Sequence, residues 1–389
     1  MSLWRLAWRY LWSQPLTAGL NLLLLSLGLA AIGFVLLVSE QIEAGVRRDL
    51  AGIDLVVGAK GSPMQIMLAG VFHLDVPTGN IPLASIEALR AQRLVARVVP
   101  LSLGDSLQGF RIVGTTADYL ALYDAQLATG RPWAQPMEAV LGAAAARATG
   151  LKPGDRFAGS HGLGAQGTAH AHHDYTVVGV LAATGGVLDR LVLTDLASVW
   201  EVHDEIKADE VTLALVSYRS PLAAISLPRW VNAQPDLQSA APALETARLL
   251  RMVGVGTEVL RGFGVVLLLA AGLSVWVALL HAVRARTGDL AMLRMLGAPP
   301  WRVAALVSLE ALSLALLASV LGLALAHGLV AILGRVLAAQ QSLSLSGAWL
   351  SPWEWTVPAV ALGLAVLAAA LPAWRAFRLD VTELLQAPR

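Results

Sequence analysis

Four runs of this sequence are apolar for long enough to cross a lipid bilayer, and that confines the chain to membrane architectures. Residues 17–39, 262–283, 303–326 and 354–374 each reach the roughly 20 apolar residues that a spanning helix needs. The stretch at 40–259 is too polar to span. Composition agrees: 56% of the residues are hydrophobic and only 14% charged, against about a quarter charged in a soluble domain. The first run exceeds the roughly 7 to 15 residues of a signal-peptide core and reads as a retained anchor. A net charge of +1 argues against nucleic acid as a partner, and the absence of cysteine removes disulfides and thiolate metal sites.

Arginines set the sidedness. Arg5 and Arg9 precede the first run, Arg284, Arg286, Arg294 and Arg302 lie between the second and third, and Arg375 and Arg378 follow the fourth. Cytoplasmic connections carry such an excess of basic residues, so these three segments are inside. The chain then divides into an amphipathic cytoplasmic segment (1–16), a first span (17–39), an external domain ending in a helical stalk (40–259), a second span (262–283), a cytoplasmic connector (284–302), a third span (303–326), an external loop (327–353), a fourth span (354–374) and a cytoplasmic C-terminus (375–389). Trp4, Trp8, Trp12, Trp301, Trp353, Trp355 and Trp374 mark the boundaries, as amphipathic indoles do at membrane interfaces.

Within the spans, Ala318, Gly322 and Ala326, and again Ala361, Ala365 and Ala369, recur at every fourth position. This spacing either lets helices approach closely or reflects an alanine-rich composition. Glu310 has two readings of equal weight: a bundle-facing carboxylate, or one near the interface about two turns from Arg302. The external segment alternates strand-like runs at 53–57, 96–99, 110–113, 175–180 and 190–193 with helical patterns at 83–92, 138–149 and 197–205, which predicts a mixed α/β domain. Gly150 is a natural helix stop, residues 152–155 form a turn, and an amphipathic helix is expected over 240–262.

No phosphate-binding loop of the form G-x-x-x-x-G-K-[ST] occurs, so the chain does not hydrolyse ATP itself. Neither a Gly-x-Ser-x-Gly elbow nor a His-Glu-x-x-His pair is present, which disfavours a hydrolase. The connector is more informative. Thr287 or Asp289 can cap a helix, Arg294 suits its C-terminal end, and Gly297 with Pro299 and Pro300 stops it. Leu290 with Leu293, and Met292 with Leu296, form apolar ridges. Cap, ridges and stop together favour a docking helix over a solvated basic loop.

The span–connector–span sequence containing Arg286-Thr-Gly-Asp-Leu-Ala-Met-Leu-Arg-Met-Leu-Gly-Ala298, followed by Pro372-Ala-Trp-Arg-Ala-Phe-Arg-Leu-Asp-Val-Thr-Glu-Leu-Leu385, resembles the permease subunits of the MacB/FtsX class of ABC transporters. In the second motif Asp380 and Glu383 are spaced as a capping box. Residues 100–114, 138–142 and 150–155 are similar to the MacB-like periplasmic core. The resemblance implies four transmembrane helices with a large α/β periplasmic domain inserted between helices 1 and 2, in the bacterial inner membrane. It implies a homodimer bound to a dimer of separate cytoplasmic ATPase subunits, which hold the ATP and magnesium, while this chain is non-catalytic. Arg286, Asp289, Leu290, Leu293, Arg294, Leu296 and Gly297 would contact the ATPase. The lack of a fused ATPase domain is more similar to the lipoprotein-releasing (LolCE-like) and FtsX branches than to MacB.

Two external segments carry further candidates. His161, His170, His172, His173 and Asp174 are the one place where metal chemistry, zinc above all, is to be considered; a solvated glycine-rich loop is the competing and stronger reading. His203 reads as a surface residue. Met64, Met67, Leu68, Val71 and Phe72 form an apolar face for a partner, cargo or lipid, although core packing explains the same pattern better. Three functions follow as expectations. The first is a mechanical coupler that converts ATP hydrolysis in its partner into periplasmic movement for cargo extraction or transport, with a periplasmic or outer-membrane partner. The second is an FtsX-like regulator of a cell-wall hydrolase, and the third a metal-sensing receptor. The size of the external segment favours the first.

Overall fold

The computed structural model describes residues 3–161, 169–202, 209–339 and 345–378. The chain forms two compact units, one of Met1–Gln41, Val253–Val336 and Leu345–Arg389, the other of Ile42–Met252 and Leu337–Ser344. In chain order the elements begin with helices α1 (Leu3–Leu11) and α2 (Pro15–Asp49), strand β1 (Leu55–Ala59), α3 (Pro63–Gly70), β2 (Ile81–Pro82), α4 (Leu83–Arg90), β3 (Val95–Leu107), β4 (Phe110–Thr115) and α5 (Asp118–Leu122). There follow β5 (Leu127–Gly130), β6 (Glu138–Leu141), α6 (Ala143–Thr149), β7 (Arg156–His161), β8 (Ala169–Leu181), β9 (Leu191–Asp195), α7 (Leu196–Val202), β10 (Glu210–Val211), β11 (Leu213–Tyr218), α8 (Ala223–Asn232) and β12 (Leu237–Ala240). The chain closes with α9 (Pro242–Ala285), α10 (Thr287–Met295), α11 (Pro300–Ala339) and α12 (Thr356–Phe377).

Helices α2, α9, α11 and α12 are the four, among the described residues, that are long and apolar enough to cross a membrane. Their common core joins Leu25 and Leu29 of α2, Ala271 and Val275 of α9, Ala311, Ala315 and Ala318 of α11, and Ala361 and Ala365 of α12. With no water to expel between helices inside a membrane, packing depends on close approach, and small residues supply it. A Cβ at Gly322 would lie 2.8 Å from Leu29 Cβ and 3.1 Å from the Ser26 carbonyl oxygen, so α2 and α11 meet there backbone to backbone. Ala318, Ala326, Ala361, Ala365 and Ala369 are all buried, so the four-residue spacing of small side chains marks helix contacts. Beyond the spans, Gln41 exchanges two hydrogen bonds with the Ser346 backbone, and His327 donates to the Gly347 carbonyl oxygen at 2.8 Å and faces Glu354 at 3.2 Å.

The other unit is built on a ten-stranded mixed sheet in the order β12-β1-β11-β3-β4-β9-β6-β8-β5, with β7 pairing β3 and β8. The pairs β4–β9 and β6–β8 are parallel and the remaining pairs antiparallel. Successive side chains of a strand point to opposite faces, and here both faces are covered. Val56 of β1 enters one core with Ile66 and Met67 of α3, whereas Leu55 and Val57 enter another with Ile86 and Leu89 of α4. That is why these strands read as continuous apolar runs.

One expected element of the sheet unit differs, and in the other unit α11 continues to Ala339 through the first part of the loop expected at 327–353. The helical pattern over 138–149 divides into β6, the turn at Gly142 and α6. Glu138-Ala-Val-Leu141 fills the slot between β8 and β9, and a Cβ at Gly142 would lie 2.1 Å from the Leu188 carbonyl oxygen, which leaves room for no other residue. Arg131 and the Ala134 amide both bond the Glu138 carboxylate and hold its pKa down to about 2.

Gly322→Ala is expected to destabilise the detergent-solubilised chain by about 1–3 kcal/mol through overpacking. Gly363→Ala, where an added Cβ meets nothing outside its own helix within 4 Å, serves as the control and should not destabilise. Thermal unfolding of the two variants compares them directly.

Candidate coupling connector

The connector helix α10 is closed at its end by the expected Gly297, but its start is held by other means than the expected cap. At its start neither Thr287 nor Asp289 caps it; the Thr287 hydroxyl instead donates back to the Val283 carbonyl oxygen at 3.1 Å, and Asp289 is exposed in the first turn, where its charge complements the helix dipole. At its end the Ala298 amide bonds the Leu293 carbonyl oxygen and the Gly297 amide that of Arg294, both at 3.0 Å. This double closure needs a left-handed residue between helix and exit, and Gly297 supplies it with φ +92°. Pro300 then opens α11, where its missing N–H costs nothing.

The apolar residues of α10 divide between two tasks. Leu290 and Ala291 are buried, and Leu290 packs with Val283, Val303, Leu306 and Val307 while the half-buried Leu293 supports the same core. Met292, Met295 and Leu296 face outward, 56%, 55% and 80% exposed. These three fall at i, i+3 and i+4 and so share one helix face. Expected at the docking surface, Leu290 and Leu293 are instead anchors, because the helix needs one apolar stripe to attach it to its own bundle. Leu296 and Gly297 are exposed, and Arg294 is half-buried.

Arg286 is likewise turned inward. Its guanidinium bonds Glu310 at 3.0 Å, the Tyr10 carbonyl oxygen at 2.8 Å and the Ser13 hydroxyl at 2.7 Å, and lies 4.5 Å from the centre of the Tyr10 ring. Side-chain exposure is 14% for Arg286 and 8% for Glu310. Burying charge is expensive unless it is paired and its remaining donors are used, and Arg286 meets both conditions. One side chain thus ties α1, the α9–α10 junction and α11 together. Glu310 also lines a cavity shared with Tyr10, Gln14 and Asn21, and Ser274 donates to Asn21 at 2.6 Å. Sequence reasoning noted both charges without pairing them, since nothing local joins residues 286 and 310.

The external candidates fare differently. Met67, Val71 and Phe72 are buried in a core to which Met64 and Leu68 contribute, so of the two readings of Met64, Met67, Leu68 and Phe72 it is core packing that the fold shows, and not an open partner or cargo face. The reason is that α3 lies on β1, β11 and β12 and spends its apolar side there. His161 ends β7, and His170, His172, His173 and Asp174 belong to β8, the hairpin closing with Ser160 opposite Ala169. Residues 162–168, the side chains of His161, His170, His172 and His173, and His203 lie outside the described residues, as do Asp380 and Glu383; Asp174 is exposed. No group of three metal-ligating side chains occurs among the described residues.

A buried polar cluster in the same unit was not anticipated. His73 Nε2 lies 3.1 Å from the Tyr119 hydroxyl, and Arg111 donates to the Asp75 carbonyl oxygen at 2.9 Å. Burial, with Arg111 and Arg190 nearby, pushes the His73 pKa well below its ordinary value and keeps the ring neutral. Its backbone φ of +54° is unusual for a non-glycine residue and gives no signal in a single sequence.

Arg286→Ala is expected to cost about 3–5 kcal/mol by stranding Glu310, whereas the double variant Arg286→Met/Glu310→Met recovers most of the loss. Thermal unfolding of the single and double variants measures the coupling.

Comparison with known proteins matches residues 18–227 to the MacB-like periplasmic core domain and residues 261–381 to the FtsX-like permease C-terminal domain. Among solved structures, the periplasmic region of MacB from Actinobacillus actinomycetemcomitans is similar at 14% identity, covering 52% of this chain and 95% of that one, with a TM-score of 0.37. The extracellular domain of the noncanonic ABC-type transporter YknZ from Gram-positive bacteria is similar at 13% identity, covering 48% of this chain and 98% of that one, with a TM-score of 0.32. No curated protein matches the chain.

Proposed function

The chain belongs to the MacB/FtsX class of ABC-transporter permeases, multi-pass inner-membrane proteins with a periplasmic core domain, and from that premise we propose that it is a mechanical coupler. A separate cytoplasmic ATPase dimer grips the connector of each copy in a homodimer. Hydrolysis there drives a conformational change in the periplasmic domains that extracts or transports cargo. The single observation that carries this reading is the outward face of α10, Met292, Met295 and Leu296, on a helix locked at one end by Arg286 and at the other by Gly297. A rigid, apolar, exposed face flanked by Asp289 and Arg294 suits a cleft in a protein partner better than it suits water. Met292→Asp/Leu296→Asp is expected to weaken co-purification of the ATPase by about tenfold or more; unchanged recovery, or a wild-type complex without any nucleotide-binding subunit, would refute the coupling.

Cargo class is the finer question. For a metal-linked cargo, zinc held by His161, His170, His172, His173 and Asp174 is the candidate, because imidazole and carboxylate suit that ion. For a hydrophobic cargo, lipid or lipoprotein is the candidate. The alternative is an FtsX-like regulator that switches a cell-wall hydrolase. The breadth of the ten-stranded sheet favours cargo handling over a simple switch. ATPase turnover of the reconstituted complex separates the readings: stimulation by zinc, lipid or lipoprotein is expected, and stimulation by a hydrolase alone would establish the regulator.

A further inference from the structure

Helix α1 presents a surface that the coupling reading does not use. It turns Ala7, Leu6, Tyr10 and Leu11 toward the core of its own unit. The opposite side carries Trp4 and Trp8, 49% and 40% exposed, with Arg5 and Arg9 exposed beside them and Trp12, 42% exposed, in the turn that follows. Trp4, Arg5, Trp8 and Arg9 line an open groove, and Trp8 meets Trp12 edge to face at 6.1 Å. Arg5 and Arg9 are one turn apart, close enough to repel. Among the described residues neither has an acidic partner, and no acidic residue precedes Glu40 in the chain.

We propose that this groove binds the headgroup of an anionic phospholipid in the cytoplasmic leaflet. Two unneutralised guanidiniums at i and i+4 can fork onto one phosphate, which removes their mutual repulsion. Flanking indoles settle where apolar and wet surroundings meet, with the ring in the acyl boundary and the N–H among headgroups. The helix that follows, α2, shows Leu16, Leu20, Leu23 and Leu27 to the exterior, as a lipid-facing span does. The site reaches the coupling machinery directly, because Tyr10, next to Arg9, supplies the carbonyl oxygen and ring that receive Arg286. An anionic lipid seated on α1 therefore steadies the anchor of the connector.

The test is native mass spectrometry of the full chain in detergent, titrated with phosphatidylglycerol and with phosphatidylcholine. The wild type is expected to retain phosphatidylglycerol preferentially. Arg5→Gln/Arg9→Gln should lose at least tenfold in that binding, at about fivefold per arginine, with phosphatidylcholine unaffected. The control Arg93→Gln/Arg97→Gln removes two exposed charges from the other unit and should keep the preference. If the glutamine variant loses thermal stability as well, the single variants Arg5→Gln and Arg9→Gln decide: a reduced preference in each supports the site and an unchanged preference in both overturns it. Absence of a preference in the wild type, or its survival in the glutamine variant, would overturn the proposal.

Discussion

A buried guanidinium has few places to go inside a membrane protein, and the arrangement around Arg286 follows from that scarcity. Its charge is answered by Glu310, and its second terminal nitrogen by the Tyr10 backbone carbonyl in α1 and the Ser13 hydroxyl in the turn after it. Since none of these partners lies on the connector itself, α10 begins at a point fixed by three other segments. Leu290 and Leu293 then press the helix onto the bundle, and Gly297 ends it. What remains free is a narrow apolar face. The connector is thus less a loop between spans than a short rod clamped at both ends.

Much of this architecture is legible from the residues alone, for physical reasons that can be named. Spans are legible because a bilayer demands a long unbroken apolar run, and sidedness because arginine is costly to translocate. The α/β character of the external domain is legible because strand and helix periods differ. Long-range pairing is not. Arg286 and Glu310 each look like ordinary features of their own segment, and only the crossing of α9 and α11 brings them together. The Met64–Phe72 segment shows the converse: its amphipathic pattern is plain, but a pattern does not say whether the apolar side meets solvent, a partner or the domain's own sheet. Likewise Glu138-Ala-Val-Leu141 has the helix-friendly composition of the alanines after it, and its strand state comes entirely from its neighbours β8 and β9.

The same limits apply to the connector's own residues. The presence of a helix with a glycine stop follows from local chemistry, and Gly297 holds that place because only a residue tolerant of a left-handed backbone can close the last turn. Which of its leucines and methionines look outward does not follow, since both ridges are equally apolar. The choice is made by Val303, Leu306 and Val307 of α11, which accept Leu290 and leave Met292, Met295 and Leu296 uncovered.

The sheet of the outer domain has its own consequence for how the molecule is made. Val56 of the first strand pairs with Ala240 of the last, and its other neighbour, β11, is also late in the chain. A strand that emerges early must therefore wait, unpaired, until nearly the whole intervening segment has been exported, and such non-local closure is slow. During that interval its unpaired backbone N–H and C=O groups and its apolar side chains are open to wrong partners. Biogenesis of this permease thus favours delivery of the segment to the periplasm in one uninterrupted passage, with the final pairing completed as the chain turns back toward the membrane.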